Sequence, residues 1–213
     1  QAARTLCAAL AEPLAEPVIT AARWHDTGKA HLLFQQTLHH GLADDDPRRA
    51  QLLAKSGGRG GRHARKHLRH ELGSLLYWLA AQGYADDADS DLVGYLVLAH
   101  HGKVRTSLRA LPGEQEPRPP LGPRFARGFH EGESLPAHTF TDGAPIPAVT
   151  VDLELMELGR GAHGPSWTAR VQRLLARHGP FRLAWLETLV RIADWRASRL
   201  ADDAADTDAE AMP

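Results

Sequence analysis

Two stretches of the chain carry apolar residues at helical spacing, and they constrain the fold more than any other feature. Between Lys66 and Gln82, leucines recur every three or four positions, at Leu68, Leu72, Leu75, Leu76 and Leu79. This spacing predicts a helix with a continuous buried stripe. From Asp91, a candidate N-cap, to His101 the residues are apolar on nearly every side. We therefore expect a second helix that is buried in the core.

Helices are also predicted over most of the remaining chain, at residues 1–14, 17–26, 30–38, 166–177 and 180–200. Pro17 and Pro180 suit the starts of two of them, because proline is favoured in the first turn of a helix. In the short segment 151–158 a helix is favoured over a strand. The predicted fold class is all-α, with one domain over 1–200. The acidic tail over 201–213 has a composition that predicts disorder.

The composition indicates a single soluble domain without a membrane span. The chain has 213 residues, of which 43% are hydrophobic and 24% are charged, which suits one hydrophobic core. No run of 18 apolar residues is present, so we predict no contact with a membrane. Cys7 is the one cysteine and lies among Ala and Leu. It is expected to be buried and structural, and a reducing cytoplasmic location is favoured.

Two segments lack a helical period, and each has two interpretations. Residues 41–65 are polar, basic and rich in glycine, but no Gly-Lys-Ser/Thr follows, so this is not a P-loop. They form either a solvated linker or a basic arm that touches a phosphate backbone. Residues 104–149 are predicted to be a long irregular loop. It is either a surface insertion or a surface for single-stranded nucleic acid, because arginines alternate with Phe125 and Phe129.

Candidate metal ligands stand in or at the ends of the predicted helices. His25 and Asp26 are adjacent, a pair that is common by chance, and Gly28 allows a bend before Lys29. His70 lies off the leucine stripe and, taken alone, would be a hydrogen-bonded core histidine. By contrast, His31, His39 and His40 are expected to be surface histidines.

Three further candidates stand where a polar side chain is predicted to be buried. His100 and His101 follow a buried helix, where two imidazoles are costly unless their nitrogens are satisfied, and a metal would satisfy them. Asp194 falls on the apolar stripe of the last helix. A carboxylate buried there needs a cation, several hydrogen-bond donors or a proton, and the cation would be a metal or an arginine such as Arg23.

Four histidines and two aspartates without a thiolate suit two divalent ions, with Mn, Fe, Co, Ni and Mg all conceivable. We predict that Asp26 bridges the two ions about 3.5–4 Å apart, with a water between them that becomes hydroxide near neutral pH.

The chain resembles the HD superfamily of metal-dependent phosphohydrolases, and more narrowly the HD nuclease domain of the CRISPR type I helicase-nuclease. The motifs that carry the resemblance are Trp24-His25-Asp26-Thr27-Gly28-Lys29 with Phe34-Gln35, Arg69-His70-Glu71, Ala99-His100-His101-Gly102 and Ala193-Asp194-Trp195-Arg196-Ala197-Ser198. The resemblance implies an HD-domain helical bundle, a two-metal centre and cleavage of single-stranded DNA. It also implies two partners, a helicase in the same polypeptide or separate and a CRISPR RNA-guided surveillance complex.

The family carries a further histidine ligand on the helix before the His-Asp pair, and no histidine precedes His25. Either that ligand lies upstream of Gln1, or the centre holds one metal or is impaired. The ion held by His25, Asp26 and Asp194 would be the one affected. The ion held by Asp26, His70, His100 and His101 has a complete set.

Asp26 and Lys29 are the predicted catalytic residues, and Lys29 is expected to contact a phosphate. Arg69, Lys103 and Arg105 are further candidates for contact with nucleic acid. Two other functions stay open: a nucleotide phosphohydrolase with the same metal core, and a catalytically silent HD scaffold.

Overall fold

The computed structural model describes residues 1–56 and 61–210, and helices form the body of the fold. The helices are α1 (Ala2–Ala9), α2 (Ala15–Trp24), α3 (Leu32–Leu38), α4 (His70–Ala81), α5 (Ala88–Ala99) and α6 (Trp167–Glu210). Short 3₁₀ turns cover Thr27–Ala30, Pro47–Ala50 and Glu154–Met156. The predicted all-α class is confirmed. Residues 57–60, the glycine-rich part of the predicted basic arm, lie outside the described residues.

Helix α5 lies at the centre of the bundle, where it contacts α2, α4 and α6. Its residues from Asp91 to Ala99 are all buried, as the nearly continuous apolar pattern predicts. Helix α4 is buried from His70 to Leu79 because it packs against α5 on one side and against the turn Thr27–Ala30 on another. Cys7 is buried in the core, as expected.

Helix α4 begins at His70, four residues later than the prediction of Lys66. The backbone at His67 is left-handed, with φ of 63°, and Arg69 is extended. The backbone N–H of Arg69 donates to the carbonyl of Arg127 at 3.0 Å instead of entering a helical turn. A distant segment therefore sets the start of this helix, and the leucine stripe could not reveal it.

Asp91 does not cap α5, and this prediction was wrong. Asp87 is the N-cap, and its side chain accepts a hydrogen bond from the backbone N–H of Ser90 at 2.7 Å. Asp91 is only 1% exposed and pairs with Arg170 of α6 at 2.9 Å and with Arg173 at 3.0 Å. Its carboxylate ties α5 to α6, because a buried charge requires a charged partner.

The segment 104–149 is less irregular than predicted. It and the residues just after it contain two-residue strands that pair antiparallel: β1 (Phe125–Ala126) with β2 (Phe129–His130), β3 (Ser134–Leu135) with β6 (Val149–Thr150), β4 (His138–Thr139) with β5 (Pro145–Ile146), and β7 (Arg160–Gly161) with β8 (Gly164–Pro165). Strands of two residues are too short to show a period in sequence. The segment also adds residues to the core, namely Val104, Leu108, Ala126, Phe129, Leu135, Ile146 and Val149. It is therefore part of the domain body and not a surface insertion.

The two predicted C-terminal helices are both present, although they are continuous in α6 except for a break at Gly179. There φ is 75° and ψ is 159°, and Pro180 starts the second half. The helix continues to Glu210, into the tail for which we predicted disorder. Residues 211–213 lie outside the described part. No helix in the described residues is long and apolar enough to cross a membrane.

Candidate metal centre

The structure brings all six predicted ligands together where the ends of three helices meet the side of α6. His25 is the C-cap of α2, Asp26 precedes the turn Thr27–Ala30, and His70 is the first residue of α4. His100 ends α5, with His101 next in the chain. The ends of α2, α4 and α5 therefore bring these side chains together, and none of the five lies on a long loop.

The ligand atoms fall into two overlapping groups. His70, His100 and His101 offer nitrogens that all lie within 4.8 Å of one another, and so do the ligand atoms of His25, Asp26 and His100. The prediction assigned His100 to one ion, whereas the structure places it within reach of both groups.

The Asp26 carboxylate faces both groups. Its Oδ1 lies 3.2 Å from Nε2 of His70, and its Oδ2 lies 3.5 Å from Nε2 of His25. Oδ1 of Asp194 lies 3.3 Å from the same Nε2 of His25. The Asp26 carboxylate thus has one oxygen near His70 and the other near His25.

Three buried imidazole nitrogens point into this centre without a hydrogen-bond partner among the described residues: Nε2 of His25, His70 and His100. Nδ1 of His25 lies 2.9 Å from the carbonyl of Ala22, and Nδ1 of His100 lies 2.7 Å from that of Val97. A carbonyl only accepts, so each Nδ1 carries the proton and Nε2 is directed to the centre. An unsatisfied buried polar atom costs about 1–3 kcal/mol. The donor set therefore fits divalent metal ions.

The electrostatics of the centre also suit metal ligands. Burial lowers the pKa of His100 to about 2, so its imidazole is neutral and able to bind a metal. Burial opposes the charge of Asp26, but His70, His25 and Lys29 hold the pKa of this carboxyl well below its usual range. Burial likewise opposes a charge on His25, yet its contacts with Asp194 and Asp26 raise its pKa. Asp194 and Asp26 thus favour a second proton on the His25 ring. A metal ion bound at Nε2 would take the place of that proton.

Gly28 is required by a close approach rather than by the bend that we expected. A Cβ at this position would lie 2.1 Å from the carbonyl oxygen of His70 and 2.5 Å from the backbone nitrogen of Ser74. The buried hydroxyl of Ser74 donates to the carbonyl of His25 at 2.6 Å and accepts from the N–H of Gly28 at 2.8 Å. Ser74 thus fixes the loop that bears His25 and Asp26 onto α4, a role that sequence reasoning did not assign to it.

The predicted phosphate-binding cations differ in their surroundings. Nζ of Lys29 lies 2.7 Å from Oδ2 of Asp26 and donates to the carbonyl of Ala54 at 3.2 Å, so this cation stands at the edge of the centre. Arg69 is half-buried beside His70, and Lys103 is exposed just beyond His101.

Arg105 bonds to other residues of the chain, although its side chain is 43% exposed. Its guanidinium bonds to both carboxylate oxygens of Glu187, with distances from 2.6 to 3.0 Å, and donates to the carbonyl of Gly102 at 2.7 Å. Tyr95 also donates to Glu187. These bonds hold the turn that follows His100 and His101, so Arg105 can position this turn, and its contact with nucleic acid stays a prediction.

Replacing Glu187 with alanine is expected to release this turn. The bonds to a charged partner are worth about 1.5–3 kcal/mol, and a looser His101 should weaken metal binding about tenfold. Urea unfolding and calorimetric titration with Mn²⁺ measure the two effects. Glu16→Ala is the control, because Glu16 forms an exposed ion pair with Arg4 at 3.8 Å and should change neither quantity. An unchanged Mn²⁺ affinity in Glu187→Ala would exclude the positioning role.

The structure also corrects the expectations for Arg23 and His31. Arg23 pairs with Asp142 at 2.7 Å and not with Asp194, so it does not neutralise that ligand. His31, which we expected on the surface, is buried: its Nδ1 accepts from the backbone N–H of Leu33 and caps α3, while Nε2 lies 3.3 Å from Glu133. A histidine can cap a helix through a ring nitrogen, and the sequence offered no sign of this.

The family model described as "Cas3, HD domain" matches residues 1–201, a range that includes all six predicted ligands. Neither the curated proteins nor the solved structures show a significant match to the chain. The fold is mostly helical and the histidine cluster can hold metal, as an HD domain requires. The chain therefore belongs to the Cas3 HD-domain family, the HD-type metal-dependent nucleases of CRISPR systems.

Proposed function

We propose that the chain hydrolyses phosphodiester bonds of single-stranded DNA in CRISPR type I interference, through a two-metal mechanism. It would act with a helicase, in the same polypeptide or separate, and be recruited in the cytoplasm to a CRISPR RNA-guided surveillance complex. The observation that supports the two-metal part is the Asp26 carboxylate, which has one oxygen near His70 and the other near His25. The Nε2 atoms of these two histidines and of His100 are buried and form no hydrogen bond among the described residues.

Two divalent ions bound there would supply an activated water and neutralise the charge that develops on the phosphate. His25, His70, His100 and His101 would hold the ions, with Asp26 shared between them and Asp194 on the side of His25. An upstream histidine ligand stays a prediction; among the described residues, His100 already reaches both groups.

The chain's own residues orient the substrate around this centre. Lys29 is held against Asp26 by their 2.7 Å contact, so its charge is available to a phosphate oxygen that approaches the ions. His101 is exposed, which places the open side of the centre at the end of α5. Lys103 and Arg69 flank that side and would contact the neighbouring phosphates.

An aromatic platform beside the centre supports a single strand as the substrate. Trp195 follows Asp194 in α6 and is 58% exposed, and the guanidinium of Arg191 lies 4.7 Å from its ring centroid. An exposed indole stacks on an unpaired base, and an adjacent arginine meets the backbone. Phe129, one of the rings that we expected to stack on bases, is buried against Gly73 and cannot do so.

The test compares a labelled single strand of about 30 nucleotides with mononucleotides, using the full chain and Mn²⁺. We expect cleavage of the strand and no hydrolysis of the mononucleotides. Trp195→Ala should raise KM for the strand about tenfold, since base stacking is worth about 1–3 kcal/mol, and should leave the Mn²⁺ affinity unchanged. Phe181→Ala is the matched control, because Phe181 is an exposed ring on the same helix but far from Asp194.

The outcomes separate the three functions. Hydrolysis of mononucleotides without cleavage of the strand would indicate a nucleotide phosphohydrolase with the same metal core. A protein that binds no metal and cleaves neither substrate would be a silent HD scaffold.

A further inference from the structure

The buried histidine ligands differ in how their Nδ1 atoms are held. His25 and His100 lie at the C-terminal ends of helices, where each Nδ1 donates to the carbonyl three residues earlier, that of Ala22 or Val97. His70 is the first residue of α4, so no preceding helical turn exists. Three residues earlier His67 is left-handed, with φ of 63°. His70 therefore needs a different acceptor for its Nδ1 proton.

Glu71 stands at the place of this acceptor. Its Oε2 lies 3.5 Å from Nδ1 of His70, on the side of the ring opposite the Nε2 atom that faces Asp26. A shift of a few tenths of an ångström brings the two atoms to hydrogen-bond distance. The same ring would then join Glu71 on one side to the metal centre on the other.

Glu71 is a buried acidic residue, and hydrophobic packing does not explain why a carboxylate stands at this position. Glu71 is 1% exposed, and neither carboxylate oxygen has a hydrogen-bond partner among the described residues. A buried carboxylate without a bond is costly, and an apolar side chain of similar size would avoid the cost. A carboxylate at this position is useful if it orients a neighbouring ligand.

We propose that Glu71 is a positioning residue whose carboxylate accepts a hydrogen bond from the Nδ1–H of His70. This bond fixes the tautomer in which Nε2 is free for a metal, sets the angle of the ring and makes the imidazole a stronger donor. The inference rests on the proposed metal centre, and it assigns to the centre a carboxylate that touches no ion. It also explains why His70, which begins its helix, can serve as a ligand equivalent to two histidines that end theirs.

The first test reads the tautomer of His70 in the full chain without metal, by nitrogen-15 NMR of the histidine rings. We expect the Nδ1–H form in the wild type. Glu71→Gln should keep it, because the amide oxygen can accept the same bond, and Glu71→Leu should lose it.

The second test measures the affinity for Mn²⁺ by calorimetric titration. Glu71→Leu should bind about 10–100-fold more weakly, the usual effect of removing such a partner, and Glu71→Gln should fall between it and the wild type. Asp91→Asn is the matched control. It changes an equally buried carboxylate in the first turn of α5, at the opposite end from His100, and should leave the affinity unchanged while lowering stability in urea.

Two results would overturn the proposal: an Nε2–H tautomer of His70 in the wild type, or a Glu71→Leu variant that binds Mn²⁺ as tightly as the wild type. If Glu71→Leu does not fold, the wild-type spectrum and the glutamine variant still decide. A wild type that binds no Mn²⁺ would contradict the proposed function, whereas the tautomer would still report on Glu71.

Discussion

Replacing Asp26 with alanine is expected to abolish both divalent metal binding and cleavage of single-stranded DNA. The carboxylate lies 3.2 Å from His70 and 3.5 Å from His25, so its loss removes the oxygen ligand that faces a histidine of each group. We expect the cleavage rate to fall at least about 10³-fold, which is the upper range for the loss of one electrostatic donor. Calorimetric titration with Mn²⁺ and single-turnover cleavage of a labelled strand measure the two effects.

The control for this substitution is Asp152→Ala. Asp152 is also a partly buried aspartate that contacts a histidine, with 2.6 Å to Nε2 of His163, but it takes no part in the centre. This variant should bind Mn²⁺ and cleave DNA as the wild type does. If Asp26→Ala retains divalent-dependent cleavage, then Asp26 does not bridge the ions and the proposed mechanism is wrong.

Replacing Gly28 with alanine should have the largest effect on folding. The new Cβ would lie 2.1 Å from the carbonyl oxygen of His70, a backbone atom at the first turn of α4 that cannot move without shifting the helix. We expect a loss of at least about 3 kcal/mol in the free energy of unfolding, at the upper end of overpacking costs. Displacement of the turn Thr27–Ala30 should also weaken Mn²⁺ binding, because Asp26 directly precedes this turn and would move with it. Urea unfolding and calorimetric titration measure the two losses.

Gly113→Ala controls for the general effect of adding a methyl group to a glycine. A Cβ at Gly113 meets nothing within 4 Å, and only its φ of 79° opposes alanine, at about 1–2 kcal/mol. The centre should bind Mn²⁺ normally in this variant. Equal losses of stability in the two variants would show that the approach of the turn to α4 is looser than the distances indicate.

His100, His101 and Asp194 could be proposed as ligands from sequence because the helical pattern makes a polar side chain costly at these positions. His100 follows nine buried residues of α5, and Asp194 lies on an apolar stripe. These features depend only on local spacing, which the sequence displays directly. The helical fold class followed from the same spacing.

The contacts that support the ligands could not be predicted, because they join residues distant in sequence. Arg105 looked like a free cation beside the centre, and only the fold reveals Glu187 as its partner. The start of α4 depends on a bond between Arg69 and Arg127 of the β1–β2 turn. The sequence predicted only that Gly28 allows a bend, because its close approach to His70 and Ser74 leaves no local pattern.

The arrangement of the ligands on the ends of α2, α4 and α5 and the side of α6 has a consequence for how the domain is held together. Ions at this junction would be cross-links among four elements that are far apart along the chain, much as disulfides are in secreted proteins. Bound metal would therefore stabilise the folded state by mass action, by about 2.7 kcal/mol at a hundred times the Kd. Loss of metal would then remove both the catalytic activity and part of the folding stability. At low metal concentration, the domain would be inactive and would also unfold more readily.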